Sequence, residues 1–206
     1  MTHLRKANEI SHLWQKFGPN TYPIDLDLIT DEVINPRLDG EKLTIKYRNL
    51  DKIDGAMIGS TDSNGNFAAC VNANTNNTGR KRFTLAHEIG HFMCHRHMLK
   101  NFQCTRSMIN DFYHDNLEKE ANQFAAQLLM PPNRLRDFDN ITWGIESLVC
   151  LSEKFNCSLQ AVGLNYTRYS TLKVAFIVVR NDFVCWGNSS SSAYKEGIFF
   201  RGGDEV

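Results

Sequence analysis

The sequence predicts an α+β fold, in which helices and strands occupy separate stretches of the chain. Apolar residues recur at helical spacing near the N-terminus, and strand-like segments occupy residues 42–72. Two strongly helical segments and a final group of strands follow. The 206 residues suffice for one domain, or for one domain with a small appendage. We therefore expect a core at residues 1–135 and a smaller region at residues 136–206.

The charge balance argues against several classes of function. The 23 basic and 23 acidic side chains cancel, which disfavours direct nucleic-acid binding through phosphate contacts. The chain has no run of 18 apolar residues, and its N-terminal segment lacks the apolar core of a secretory signal. We therefore expect a cytoplasmic protein with no membrane partner. Its six scattered cysteines are expected to be reduced thiols, mostly in the core.

Periodicity and chain breakers predict the elements of the first half. A helix with one apolar face is expected over residues 4–17, where Gly18-Pro19 ends it, and a short helix follows Pro23. The expected strands are Lys42–Arg48, Gly55–Gly59 and Asn66–Asn72.

The second half is predicted in the same way. A helix carries His87 and His91, a mixed loop follows, and another helix runs from about Asn116 to Met130, before two prolines. The serines at 189–192 are expected to form a loop. The remaining expected elements are helices Trp143–Phe155 and Leu159–Tyr169 around a tight turn, and strands Val174–Val179, Phe183–Trp186 and Gly197–Phe200.

His87, Glu88 and His91 form an H-E-x-x-H motif within the run RFTLAHEIGHFMCH. On a helix, the two histidines lie one turn apart on one face, so both imidazoles can bind one zinc ion. Glu88 supplies a carboxylate that can act as a general base in amide hydrolysis. The alternative is a pair of buried histidines without a metal, but burying these polar groups is costly. His95 is expected to be a structural residue.

A catalytic zinc site needs a third protein ligand, for which the chain offers three candidates. His97 lies ten residues after His87, but the glycine required by that spacing is replaced by Cys94. Glu118 and Glu120 lie on the later helix. Glu118 is at the edge of the apolar stripe, whereas Glu120 is on the solvent flank. This geometry favours Glu118.

Neighbouring residues suggest further roles for this region. Asn122, one turn after Glu118, can accept the second ring N–H of a ligand histidine. A capping box is the alternative role for Glu118, with Asp115 as the N-cap. His114, together with Tyr113, is a candidate for stabilising an oxyanion.

Two features concern substrate binding. The strand Asn66–Asn72 is expected to align an extended peptide by β-augmentation. A basic cluster, opposed by Glu88 as the single nearby acid, either attracts an acidic substrate segment or forms a solvated face. This cluster consists of Arg80, Lys81, Arg82, Arg96, Lys100 and Arg106.

The paired motifs RFTLAHEIGHFMCH and EKEANQFAAQLLMP resemble those of the ImmA/IrrE family of zinc metallopeptidases. The segments DGAMI, FAACVNA, LSEKFNCSLQAVGLNYTRYS and KVAFIVV also agree with the family layout. The resemblance implies a minimal zincin-like core of active-site helices and a small mixed or antiparallel sheet, with a helix-turn-helix-like segment and C-terminal strands. The family pattern E-x-x-A-N-x-F-A implies that Glu118 joins His87 and His91 as ligands of one zinc ion, with manganese possible.

The resemblance also implies a function. Members of the family typically cleave a helix-turn-helix repressor of the XRE type that controls a mobile element, prophage or stress regulon. This implies a cytoplasmic endopeptidase whose protein substrate is such a repressor, expected to be a separate protein.

Two alternatives stay open. The chain can be a toxin neutralised by a helix-turn-helix antitoxin. It can also be a non-catalytic module that binds a regulator or DNA through residues 145–169, although Arg168 is the one arginine on the would-be recognition helix.

Overall fold

The structure, a computed structural model, describes residues 2–19, 21–60, 65–98, 101–104, 116–138 and 144–206, with the side chains of residues 101–104 left undescribed. The chain divides into two compact units. The first comprises Met1–Leu129 with Lys154–Asn156, and the second comprises Met130–Glu153 with Cys157–Val206. Helices and strands occupy separate stretches, which confirms the α+β class. The expected division into residues 1–135 and 136–206 stays a prediction.

The first unit begins with the two helices expected from the sequence. Helix α1, His3–Phe17, starts where the Thr2 side chain accepts a hydrogen bond from a backbone N–H, and it buries Trp14. Helix α2, Leu26–Ile29, continues as a π-helical turn over Thr30–Ile34 and a 3₁₀ turn over Asn35–Arg37.

The sheet of the first unit contains the three expected strands and one that was not expected. Strands β1 (Lys42–Arg48), β2 (Gly55–Gly59), β3 (Asn66–Asn72) and β4 (Asn101–Cys104) lie in the order β1-β3-β2-β4. Strand β3 is parallel to β1 and antiparallel to β2, which is also antiparallel to β4. Strand β4 lies in a segment for which the sequence predicted a mixed loop.

Helix α3, Thr78–His95, lies between this sheet and helix α4, Asn116–Leu129. The Asn77 side chain caps α3 by accepting a hydrogen bond from the backbone N–H of Arg80 over 2.9 Å. Phe92 contacts Phe67 of β3 edge to face, with ring centroids 5.2 Å apart. Helix α4 also packs against α1. The motif helix is thus held on both sides.

The second unit contains the expected helix pair and hairpin. Helix α5 (Pro132–Arg136) is followed by α6 (Ile145–Phe155), whose last two residues belong to the first unit, and by α7 (Leu159–Tyr169). Strands β5 (Ala175–Arg180) and β6 (Phe183–Ser189) form an antiparallel hairpin. Its two turn residues, Asn181 and Asp182, have φ values of 51° and 64°.

Two expectations for the C-terminal segment are wrong. The serine run caps a helix, because Ser190 accepts a hydrogen bond from the backbone N–H of Ala193 at the start of α8 (Ser191–Lys195). Residues 197–200 are not a strand, because Gly197, with φ of 79°, ends α8. The N–H groups of Gly197 and Ile198 bond to the carbonyl groups of Tyr194 and Ala193. This pattern is a Schellman motif.

The burial of the cysteines bears on a broader expectation. The five cysteines with described side chains are thiols, and Cys70 and Cys157 are buried. Cys150 and Cys185 are exposed, so the expectation of mostly core positions holds only in part. Within the described part of the chain, no helix combines the length and the apolar character needed to cross a bilayer.

We predict that Gly197→Ala lowers the free energy of unfolding by about 1 kcal/mol, because an L-residue with a Cβ is strained in the left-handed region. Gly197→Asn should lower the free energy of unfolding less than Gly197→Ala does, since asparagine tolerates this conformation better. Urea unfolding of the three proteins measures the difference. An unchanged or higher free energy of unfolding for Gly197→Ala would contradict the conclusion that Gly197 ends α8 in the left-handed region.

Candidate metal centre

Three buried side chains converge between α3 and α4. The Nε2 atoms of His87 and His91 lie 2.9 Å apart. The two carboxylate oxygens of Glu118 each lie 3.2 Å from one of these nitrogens. His87 and His91 are fully buried, and Glu118 is 5% exposed. The three residues that the sequence singled out as ligands are therefore neighbours in space.

A close approach of the two helices brings these groups together. A Cβ atom on Gly90 would lie 3.1 Å from Cδ1 of Phe124 and 3.2 Å from both Cα and the carbonyl oxygen of Ala121. Gly90 lies between the two motif histidines, and Ala121 lies one turn after Glu118. The small residues at this contact let α4 approach α3 until the Glu118 carboxylate reaches both imidazoles.

The cluster fits a divalent metal ion. Two imidazole nitrogens and a carboxylate make a ligand set that zinc binds in catalytic sites. In a tetrahedral site with zinc–ligand bonds of this kind, neighbouring ligand atoms lie about 3.3 Å apart. The observed separations of 2.9 and 3.2 Å are close to this value. Each residue offers one ligand atom, and these atoms all lie within 4.8 Å of one another.

The side chain of Asn122 contacts the first histidine of the motif. Nδ1 of His87 lies 3.0 Å from Oδ1 of Asn122, an amide oxygen that can only accept a hydrogen bond. Nδ1 of His87 therefore carries the hydrogen, and its Nε2 directs a lone pair into the cluster. The role of Asn122 beside a ligand histidine stays a prediction.

Burial and mutual contact shift the pKa values of these groups. Burial alone raises the pKa of Glu118, but its contacts with His87 and His91 outweigh burial and hold this pKa well below its usual range. Burial lowers the pKa of His91 to about 4, although the contact with Glu118 opposes this shift. At neutral pH, Glu118 is therefore ionised and His91 is unprotonated, which is the state that binds a metal.

The general-base candidate Glu88 is fully buried on the same helix. A Cβ on Gly55, the first residue of β2, would lie 2.5 Å from Oε1 of Glu88 and 2.6 Å from Cγ2 of Thr84. The glycine thus leaves the space that the Glu88 carboxylate occupies. The sequence did not single out Gly55, because its role depends on the packing of β2 against α3.

The other ligand candidates lie elsewhere. His97 is exposed beyond the end of α3, and Glu120 is 43% exposed, as expected from its flank of the helix. The carboxylate of Glu118 lies with the histidines. Asp115, the proposed capping partner, and Tyr113 and His114, the proposed oxyanion residues, lie outside the described residues.

The expected basic cluster is partly neutralised by acids that the sequence analysis did not associate with it. Arg80 pairs with Asp54 over 2.6 Å, and Arg96 pairs with Glu41 over 2.7 Å. Lys81 and Arg82 line a pocket of about 380 Å³ together with two aspartates, Asp25 and Asp27. Lys100 and Arg106 lie outside the described residues. The expectation of a single nearby acid is therefore wrong.

Sequence reasoning named His95 as a structural residue and Glu120 as a ligand candidate on the solvent flank, but it did not foresee that the two meet beside the cluster. Nδ1 of His95 lies 3.1 Å from Nδ1 of His91, and Nε2 of His95 lies 3.2 Å from Oε2 of Glu120. His95 follows His91 by four residues, the same spacing that joins His87 and His91. This repeated spacing was the available signal.

A comparison with protein families matches residues 41–166 to the IrrE N-terminal-like domain, Peptidase_M78. The chain belongs to this family. More than half of the chain lies in the match, which contains α3, α4 and the first sheet. No curated protein matches the chain significantly. Membership supports a metallopeptidase of the IrrE/ImmA kind, and the α+β architecture of this Peptidase_M78 domain is consistent with a minimal zincin-like fold.

We predict that the metal-free protein loses stability as the pH falls from 6.5 to about 4. Because the pKa of His91 is lower in the folded protein, the unfolded chain binds more protons in this range. His91 contributes at most about 1.4 kcal/mol per pH unit to this loss. In urea unfolding across this pH range, the free energy of unfolding of His91→Gln should fall less steeply with decreasing pH than that of the wild type. The exposed His12→Gln controls for removal of a histidine, and an unchanged His91→Gln slope would contradict the prediction.

Proposed function

We propose that this protein is a zinc-dependent endopeptidase that cleaves, and so inactivates, a helix-turn-helix repressor of the XRE type or a related partner regulator. The proposal rests on one observation: the side chains of His87, His91 and Glu118 form a buried cluster in a member of a peptidase family. The buried carboxylate of Glu88 on the same helix supports catalysis rather than a purely structural metal site.

The residues of the site divide the work of amide hydrolysis. His87, His91 and Glu118 would hold the ion, and Asn122 keeps His87 in the tautomer that presents Nε2. When bound, zinc supplies Lewis-acid chemistry that polarises a carbonyl group and makes water more acidic. Glu88 accepts the proton of the attacking water and then donates it to the leaving amine. This transfer leaves Glu88 ionised for the next cycle.

The substrate-aligning strand has to be assigned differently from the sequence-based expectation. Strand β3, Asn66–Asn72, pairs with β1 on one side and β2 on the other, so its backbone cannot accept an added peptide strand. The choice of β3 was therefore wrong. A central strand and an edge strand can have the same local sequence pattern, and pairing alone distinguishes them.

The edge of β4 is a better candidate for binding an extended peptide. Within the described part of the sheet, β1 and β4 are the edge strands. Exposed Lys42, Lys46 and Arg48 line β1, and such charges protect an edge from pairing. Strand β4 pairs Cys104 with Gly55, the residue beside the Glu88 carboxylate. A peptide added to β4 would therefore run near the general base.

The proposal is tested by incubating the purified protein with the regulator that is encoded beside the gene for this protein. We expect a discrete fragment with the zinc-loaded protein and no fragment after chelation. Glu88→Gln should bind zinc but cleave at least about 100-fold more slowly, because it cannot accept the proton. Glu118→Gln should lose zinc, whereas the exposed His97→Gln should keep it.

The alternatives give different results in the same system. Growth arrest when the protein is expressed alone would support the toxin function instead, if co-expression of the neighbouring regulator relieves the arrest and the regulator is not cleaved. Cleavage by Glu88→Gln at the wild-type rate would contradict the assigned base. Binding of the regulator with no cleavage under any metal would leave a non-catalytic module.

We also predict that Gly55→Ala keeps zinc binding but slows cleavage about 100-fold, because the new Cβ displaces the Glu88 carboxylate. Titration with zinc and cleavage assays measure the two effects. The double variant Gly55→Ala/Glu88→Asp tests the cause, since the shorter side chain avoids the added methyl group. A wild-type cleavage rate for Gly55→Ala, or strictly additive losses in the double variant, would contradict this positioning role.

A further inference from the structure

We propose that His95 and Glu120 form a hydrogen-bonded relay that orients the imidazole of His91 for metal binding. The inference rests on the proposed function, because it assigns positioning residues to the same metal site. It goes beyond the ligand set and the general base, and it gives a role to a histidine and a glutamate that the mechanism does not otherwise use.

The relay is a continuous line of contacts from the cluster to solvent. Nδ1 of His91 lies 3.1 Å from Nδ1 of His95, whose Nε2 lies 3.2 Å from Oε2 of Glu120. His95 is 1% exposed, whereas the side chain of Glu120 is 43% exposed. The ligand end is therefore dry, and the carboxylate end is hydrated.

With a cation bound at Nε2 of His91, one order of hydrogens satisfies both contacts of this line. The carboxylate oxygen of Glu120 accepts, so Nε2 of His95 donates to it over 3.2 Å. Neutral His95 then has a lone pair on Nδ1, which accepts the Nδ1–H of His91. Nε2 of His91 is consequently left without a hydrogen, and it faces His87 and Glu118.

The opposite order blocks the site. If Nδ1 of His95 donated to His91, the hydrogen of neutral His91 would lie on Nε2, inside the cluster. Nε2 of His95 would then direct a lone pair at the carboxylate of Glu120, which is unfavourable. Glu120 thus selects the His95 tautomer, and His95 selects the His91 tautomer.

The two ligand histidines are therefore oriented by different partners. Asn122 accepts the Nδ1 hydrogen of His87, and His95, backed by Glu120, accepts that of His91. A partner that accepts the second ring hydrogen fixes the orientation of a ligand histidine and raises its basicity. Loss of such a partner typically weakens metal binding 10–100-fold.

Helix α1 holds the outer end of the relay. Nδ1 of His3 lies 3.8 Å from Oε2 of Glu120, and Nε2 of His3 lies 2.7 Å from Oε1 of Gln123 on α4. The N-terminal end of α1 therefore contacts the same face of α4 as the relay. This contact restrains a long side chain that would otherwise sample many rotamers.

Competition with a chromophoric zinc chelator tests the relay. We expect His95→Phe to weaken zinc binding about 10–100-fold and Glu120→Gln to weaken it about tenfold. His95→Asn should recover part of the loss, because its amide oxygen can accept the Nδ1 hydrogen of His91. Glu9→Gln is the matched control, since Glu9 is also a helical glutamate, with a side chain 49% exposed, and it pairs with Arg5.

Spectroscopy separates positioning from general stability. The cobalt-substituted protein should show an altered visible spectrum in His95→Phe and Glu120→Gln and an unaltered one in Glu9→Gln. Long-range ¹H–¹⁵N correlation spectra of the zinc-loaded wild type should show His95 with its hydrogen on Nε2, because its Nδ1 accepts the hydrogen of His91. His95 with its hydrogen on Nδ1 would overturn the proposal.

The outcomes distinguish the relay from the proposed function. If the wild type binds zinc but cleaves no substrate, the proposed function fails, and the zinc affinities of the variants still decide the relay. A wild type that binds no zinc would overturn both proposals. If the wild type binds zinc and all three relay variants bind it equally well with unchanged cobalt spectra, the relay is overturned. If His95→Phe does not fold, His95→Asn and Glu120→Gln give the same decision.

Discussion

The close contact of α3 and α4 at Gly90 and Ala121 is the constraint on which the site depends. The histidines belong to one helix and Glu118 to the other, so the separation of the helices sets the separation of the ligand atoms. Metal–ligand distances tolerate changes of only about 0.2 Å. A Cβ at Gly90 would require its neighbours on α4 to shift by a few tenths of an ångström, which is comparable to this tolerance.

Burial makes the cluster unfavourable for folding and also determines its chemistry. Two imidazoles and a carboxylate are removed from water, which opposes folding unless hydrogen bonds or a cation compensate. Asn122 and His95 supply hydrogen-bonding partners at the outer nitrogens, so the inner atoms face one another. A bound cation would stabilise this arrangement and hence the folded state. Metal binding would therefore be coupled to the packing of α3 against α4.

Local periodicity was sufficient to predict many of the helices and strands of the first unit. The stripe of apolar residues along α1 and the breakers that follow it are properties of neighbouring residues, and the structure confirms them. The stretch from Gly197 to Phe200 was mistaken for a strand, because a glycine that ends a helix can also precede a strand. The choice between them depends on the carbonyl groups of the preceding turn, which bond to the N–H groups of Gly197 and Ile198.

The sequence by itself determined the neighbours within each helix, because helical geometry relates residues four apart. It placed His87 beside His91 and directed Glu118 inward. Tertiary structure alone decided which surfaces meet: it enclosed β3 between two strands, paired Arg80 with Asp54, and aligned His95 between His91 and Glu120. Those contacts join residues distant in the chain, so their distances follow from packing, which no local pattern specifies.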